Sequence, residues 1–152
     1  MRYFKKLYFY RSVDNSISFN FNAFNNLQLL ILAVECTSYS NLTNGDRKTT
    51  YIMKSPQCDL NLNGWYRFQG AAGTKMATSC PPTHRCNTHI TGWLNGAHPT
   101  VADGKVTRQV CFHGYSVCCK WSRDIEVRNC NAFYVYHFSG TPECNLRYCG
   151  AD

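Results

Sequence analysis

Ten cysteines lie between Cys36 and Cys149, and no other position of the 152-residue chain carries one. Ten in 114 positions is dense enough to read as a disulfide framework, and the even count allows every thiol a partner. Reducing compartments do not sustain such crosslinks, so the domain is expected outside the cell, secreted or at the cell surface. The same feature constrains the fold. A domain of roughly 115 residues buries only about two-thirds of its surface. Crosslinks of about 2–4 kcal/mol each are then a large share of a net stability of about 5–15 kcal/mol.

Other uses of the cysteines fit the spacing less well. Structural zinc sites favour two close C-x2-C pairs, and the chain has none. The nearest cluster is Cys80, His84, Cys86 and His89, on a Pro81-Pro82 turn, and its spacing matches no zinc motif; no metal and no cofactor is expected. Cys111 and His113 share a strand face, as a nucleophile and its base would. A free thiol, however, would leave an odd number to pair. Cys118 and Cys119 are adjacent. A bridge between neighbours is strained, and neighbouring strand side chains point to opposite faces, so these two should bond different partners and tie two layers together.

The chain has two unlike parts. Residues 1–35 contain no Cys, Gly or Pro, but five Phe and five Asn. Lys5 and Lys6 give a basic start, yet Tyr, Phe, Arg11 and Asp14 follow where a signal needs an apolar run. The one continuous apolar stretch, Leu29–Val34, is shorter than the roughly 20 residues that span a bilayer. Three accounts fit: an atypical late signal ending near Ala33, a tail without fold, or an incomplete fragment or gene reading whose true upstream exons are missing. The third is preferred. Residues 1–35 are therefore set aside as a non-domain segment, residues 36–150 are taken as the cysteine-rich domain, and no membrane insertion is expected.

From residue 36 on, turn residues recur every 8–15 positions. Between them lie strand-like runs: Trp65–Phe68, Val106–His113, Ser116–Trp121, Ile125–Arg128 and Phe133–Phe138, the last alternating with a period of two. Asn95-Gly96 and Asp103-Gly104 read as two-residue hairpin turns. The expected fold class is a β-rich α+β, small disulfide-rich single extracellular domain with short strands and long loops.

Charge narrows the partners. The segment from residue 36 carries 12 Lys and Arg against seven Asp and Glu, scattered rather than clustered, so a mildly basic surface is expected and no nucleic-acid binding. Phosphate loops and serine-hydrolase motifs are missing. The aromatics Trp65, Tyr66, Phe68, Trp93, Trp121, Phe133, Tyr134 and Tyr136 read as core and cross-strand packing, with sugar stacking the alternative. Asn41-Leu42-Thr43 is the chain's one N-glycosylation acceptor triplet.

The stretches between the cysteines resemble the uromodulin-type eight-cysteine domain family. The resemblance rests on Gly64-Trp65-Tyr66-Arg67-Phe68, Met76-Ala77, Arg85-Cys86-Asn87-Thr88, Trp93-Leu94-Asn95-Gly96 with His98-Pro99, Cys118-Cys119 with Trp121, Tyr134-Val135-Tyr136, and Pro142-Glu143-Cys144 with Leu146, Tyr148 and Cys149. It spans about residues 36–150 and all ten cysteines. It implies the pairing Cys36–Cys130, Cys58–Cys144, Cys80–Cys118, Cys86–Cys149 and Cys111–Cys119, a choice the spacing alone leaves open. It also implies a module that displays a mannose-rich glycan, bound by bacterial fimbrial lectins, on the asparagine of a Trp-Leu-Asn-Gly-Thr stretch. Here Ala97 replaces that threonine, so Asn95 is not expected to carry a glycan and Asn41 is.

The expected function is a non-enzymatic recognition or adhesion module of a larger extracellular glycoprotein, including glycan-mediated binding of microbes, with an extracellular protein or carbohydrate as partner. The alternative is a disulfide-stapled spacer.

Overall fold

The structure, a computed structural model, describes residues 33–152. The expectations for residues 1–32 lie outside the described residues. Among the described residues there are nine strands: β1 (Ser40–Leu42), β2 (Asn63–Phe68), β3 (Lys75–Met76), β4 (Ile90–Leu94), β5 (Lys105–Gly114), β6 (Val117–Asn129), β7 (Tyr134–Ser139), β8 (Leu146–Tyr148) and β9 (Gly150–Ala151). Helix among the described residues is limited to three single turns of 3-10 type, Val34–Cys36, Gly45–Arg47 and Gly70–Ala72. The domain is β-rich and disulfide-rich, and these turns are all that stands for the α component expected from the sequence.

Seven strands form one mixed sheet in the order β1-β2-β7-β6-β5-β4-β8. The inner strands pair antiparallel, and the edge strands β1 and β8 pair parallel to β2 and β4. The period of two sets which side is buried. Tyr136 pairs with Tyr66 and with Val127, and those side chains share one face with Phe68, Phe138, Val110, Phe112, Leu94 and Tyr148. On that face the Phe138 and Tyr148 rings stack at 3.9 Å. The small β3–β9 sheet reaches over it, where the Met76 N–H donates to Tyr136 Oη at 2.9 Å. Burial pushes the Tyr136 and Tyr148 hydroxyl pKa values up.

Expected and observed elements differ in three places. Ser116–Trp121 and Ile125–Arg128 are one continuous strand, β6. β4 is hidden in the sequence by its central Gly92, where a Cβ would lie 2.6 Å from the Phe112 ring and 2.9 Å from the Arg147 carbonyl. Asn95-Gly96 and Asp103-Gly104 are not hairpin turns but the two ends of the long β4–β5 connection. The two-residue hairpin is Tyr115-Ser116, between the paired Gly114 and Val117.

The structure joins the cysteines as Cys36–Cys130, Cys58–Cys144, Cys80–Cys118, Cys86–Cys149 and Cys111–Cys119, with Cα atoms 4.6–5.8 Å apart. That range lies within the window of about 4.4–6.8 Å that a disulfide requires. The first ties the start of the described chain to the β6–β7 turn, and the last crosses the β5–β6 hairpin. Ala33 and Glu35, just ahead of Cys36, are buried, and the Glu35 carboxylate takes the Arg128 guanidinium at 3.0 Å.

Not all the basic residues make surface. Arg47 is 7% exposed and Arg147 is 3% exposed. Arg47 donates both terminal nitrogens to Asp59 at 2.7 Å, and Asp59 also accepts the Tyr148 N–H at 2.9 Å. Arg147 bonds Asp46 at 3.0 Å and the Cys86 carbonyl at 2.9 Å. Burial pushes the Asp46 carboxyl up, but the hydrogen bonds from Arg147 and Asn87 outweigh it and hold the group below its usual range.

Candidate recognition surfaces

The second face of the sheet is covered in part, with Thr91, Cys111 and Val135 buried on it, and open elsewhere. Trp65 pairs with His137, and His137 with Glu126, so these half-buried side chains form a row on the side away from the core. The Trp65 and His137 rings meet edge to face at 5.2 Å. Trp93 stands on the same side through its pairing with Cys111, and its indole N–H donates to the Cys118 carbonyl at 3.0 Å. Phe68 and Tyr136 pack into the core, while Tyr66, Trp121 and Tyr134 lie against it.

Asn41 belongs to this open face. In β1 it pairs with Arg67, and it points away from Leu42, which is buried. Its amide is exposed, as is Thr43. Beside it the Arg67 guanidinium lies 4.0 Å from the Phe133 ring centre and donates to Tyr39 Oη at 3.2 Å. Asn95 lies at the far end of β4, five strands from β1, or roughly 24 Å at ordinary strand spacing. Its Nδ2 donates to Gln109 Oε1 at 2.8 Å.

The Trp93–Pro99 stretch turns inward at His98. The imidazole stacks on Tyr134 with centres 4.4 Å apart, and its Nε2 lies 2.8 Å from Tyr136 Oη. Burial, reinforced by the Lys75 charge, lowers the His98 pKa to about 4. Its neutral ring can accept the Tyr136 O–H, while Tyr136 accepts the Met76 N–H.

The remaining sequence candidates separate. Cys111 is bonded to Cys119, and His113 Nδ1 donates to the Pro81 carbonyl at 2.7 Å. His113 also lies beside Cys80 and Cys118, whose sulfurs are joined to each other. Of the cluster Cys80, His84, Cys86 and His89, the two cysteines go to different bridges, whereas the two imidazoles meet at 5.4 Å. They form one wall of a groove of about 510 Å³ whose opposite wall is Tyr115 and Ser116. Sequence reading missed this groove. Its only local signal is negative: the tight turn of the longest hairpin lacks Asn or Gly, the residues that such turns favour. No helix among the described residues is long and apolar enough to cross a membrane.

Comparison with known proteins follows the disulfide framework. The family model that describes the uromodulin-like eight-cysteine domain matches residues 66–150. Uromodulin of Mus musculus is 45% identical over 121 residues, which is 79% of this chain and 19% of that protein. The pancreatic secretory granule membrane major glycoprotein GP2 is 44% identical in Canis lupus familiaris and 42% in Homo sapiens, over 75% of this chain and 23% and 21% of those proteins. The chain thus spans about a fifth of the length of the curated relatives it matches.

Proposed function

Since the chain belongs to the uromodulin-like eight-cysteine domain family, and is an extracellular, disulfide-stapled module, we propose that it serves recognition without catalysis, displaying one N-linked glycan, on Asn41, to a carbohydrate-binding partner. The observation that carries this reading is the placement of Asn41. It is exposed on an edge strand, on the open face of the sheet, with the acceptor hydroxyl of Thr43 two residues on. The Asn95 stretch, where the family resemblance puts a mannose-rich glycan, offers Ala97 in place of that hydroxyl and engages its amide with Gln109. The glycan-dependent partner is therefore met at the β1 edge, not at the β4–β5 connection. Fimbrial lectins of microbes are the partner class that the resemblance implies.

The test is glycopeptide mass spectrometry of chain exported from a eukaryotic host, followed by capture on an immobilised mannose-specific fimbrial lectin. A glycan on Asn41 alone, with capture lost in Asn41→Gln and a second occupied site created by Ala97→Thr, is the expected result. A wild-type chain that is unglycosylated at Asn41, or captured equally after Asn41→Gln, contradicts the proposal; a chain that binds nothing in either form is a spacer.

A further inference from the structure

The groove between the β5–β6 turn and the 83–90 loop concentrates the strained backbone of the molecule. Seven non-glycine residues among the described residues have left-handed φ: His84, Cys86, Asn87, Tyr115, Ser116, Asn131 and Asn145. Four of the seven, His84, Tyr115, Ser116 and Asn145, line this one groove. Asn and His tolerate the conformation; Tyr and Ser gain nothing from it. Tyr115 and Ser116 occupy both central positions of a two-residue hairpin, where Asn-Gly would be relaxed. Strain of this kind persists where a side chain is worth more than the relaxed turn.

The side chains held there form a set. The Tyr115 ring is 80% exposed and backed by Trp121 at 5.8 Å, so one face is free. Ile90 and Gly114 floor the groove. Opposite stand His84 and His89, whose loop is closed by the His84 N–H to His89 carbonyl bond at 3.2 Å. The lining contains no Asp or Glu. A free aromatic face, an apolar floor, imidazole and amide donors and no negative charge suit the C–H face and the anionic group of a sugar.

We infer that this groove binds an acidic saccharide, with the pyranose ring on Tyr115, its carboxylate or sulfate at His84 and His89, and its hydroxyls at Asn145 and Ser116. The inference rests on the recognition reading and extends it, from a glycan displayed to a glycan bound. It is independent of Asn41, which lies on β1 at the far edge of the sheet.

The test is titration of the secreted, oxidised chain with 3′-sialyllactose, with lactose and with a heparin-derived hexasaccharide. One or both acidic ligands should bind at least about fivefold more tightly than lactose. Sialyllactose binding assigns a carboxylate and hexasaccharide binding a sulfate. The decisive variant is Tyr115→Asn with Ser116→Gly, which installs the relaxed turn. It should raise the thermal midpoint by about 3–6 °C while weakening the acidic ligand at least about tenfold. His84→Gln with His89→Gln should remove the preference over lactose. Asn41→Gln should leave groove binding unchanged, so failure here and failure of glycan display are read separately. The inference is overturned if neither acidic ligand binds, if lactose binds equally well, or if the relaxed turn keeps full affinity.

Discussion

The fold disfavours a charge on His98. In the folded chain its pKa is lowered to about 4, from an ordinary value of 6.5, by burial and then by Lys75. Between those values the folded ring stays neutral while the unfolded chain takes up a proton, so acid favours unfolding. The stability contributed by the neutral ring is intact above about pH 6.5, falls as the pH drops toward 4, and is gone below that, a loss on the order of 2 kcal/mol after allowance for the ring's partial exposure. Denaturant unfolding across that window should show the step, and His98→Gln should flatten it; a wild-type profile that is flat from pH 7 to 4 contradicts the assignment. Asp46, held low by Arg147 and Asn87, adds its own loss only as the pH falls below about 4. Neither effect could be read locally. Asp46 and Arg147 stand 101 residues apart, so in the sequence Arg47 and Arg147 look like surface cations. The ion pairs that bury them depend on loops that the disulfides bring together.

At the scale of elements, the sequence is most legible where strands are long and one-sided. β7 shows its period of two because Tyr134, Tyr136 and Phe138 all turn to the core, and β2 and β5 are found within a few residues. β6 reads as two runs because Ser122, Arg123 and Asp124 interrupt its apolar pattern: Ser122 and Asp124 turn away from the core, while Arg123, opposite Val110, reaches out to Ser139 at the end of β7. β1, β3, β8 and β9 have three residues or fewer and no pattern to show. β4 escapes for a different reason: glycine ordinarily marks a strand's end, yet Gly92 is where the β4 backbone passes close to Phe112 and the β8 carbonyl of Arg147. Gly92→Ala should therefore cost about 2–4 kcal/mol, seen as a lower denaturation midpoint or lost secretion. A change under about 0.5 kcal/mol would mean that the packing around β4 gives way more easily than these distances allow. The hairpin turn is misplaced for the converse reason. Asn95-Gly96 has the right residues without the pairing, and Tyr115-Ser116 has the pairing without the right residues.

At the scale of the molecule, a seven-stranded sheet is covered on one face by short strands and loops, and the five bridges fasten those coverings to it. Three bridges close loops of 94, 86 and 63 residues, so each restricts the unfolded chain by about 4–5 kcal/mol, while Cys111–Cys119 closes 8 residues and restricts it by about 2–3 kcal/mol. Together they rival the whole net stability of a domain this size. Ala33 and Glu35, ahead of the first crosslink at Cys36, are buried as well. The most direct test is therefore of the crosslinks themselves: peptide mapping without reduction of chain exported from a eukaryotic host behind a conventional signal, and of residues 33–152 alone. Five crosslinked peptides, Cys36–Cys130, Cys58–Cys144, Cys80–Cys118, Cys86–Cys149 and Cys111–Cys119, are expected from both. Free thiols in the folded protein, or a peptide in which Cys118 is bonded to Cys119, would contradict the account.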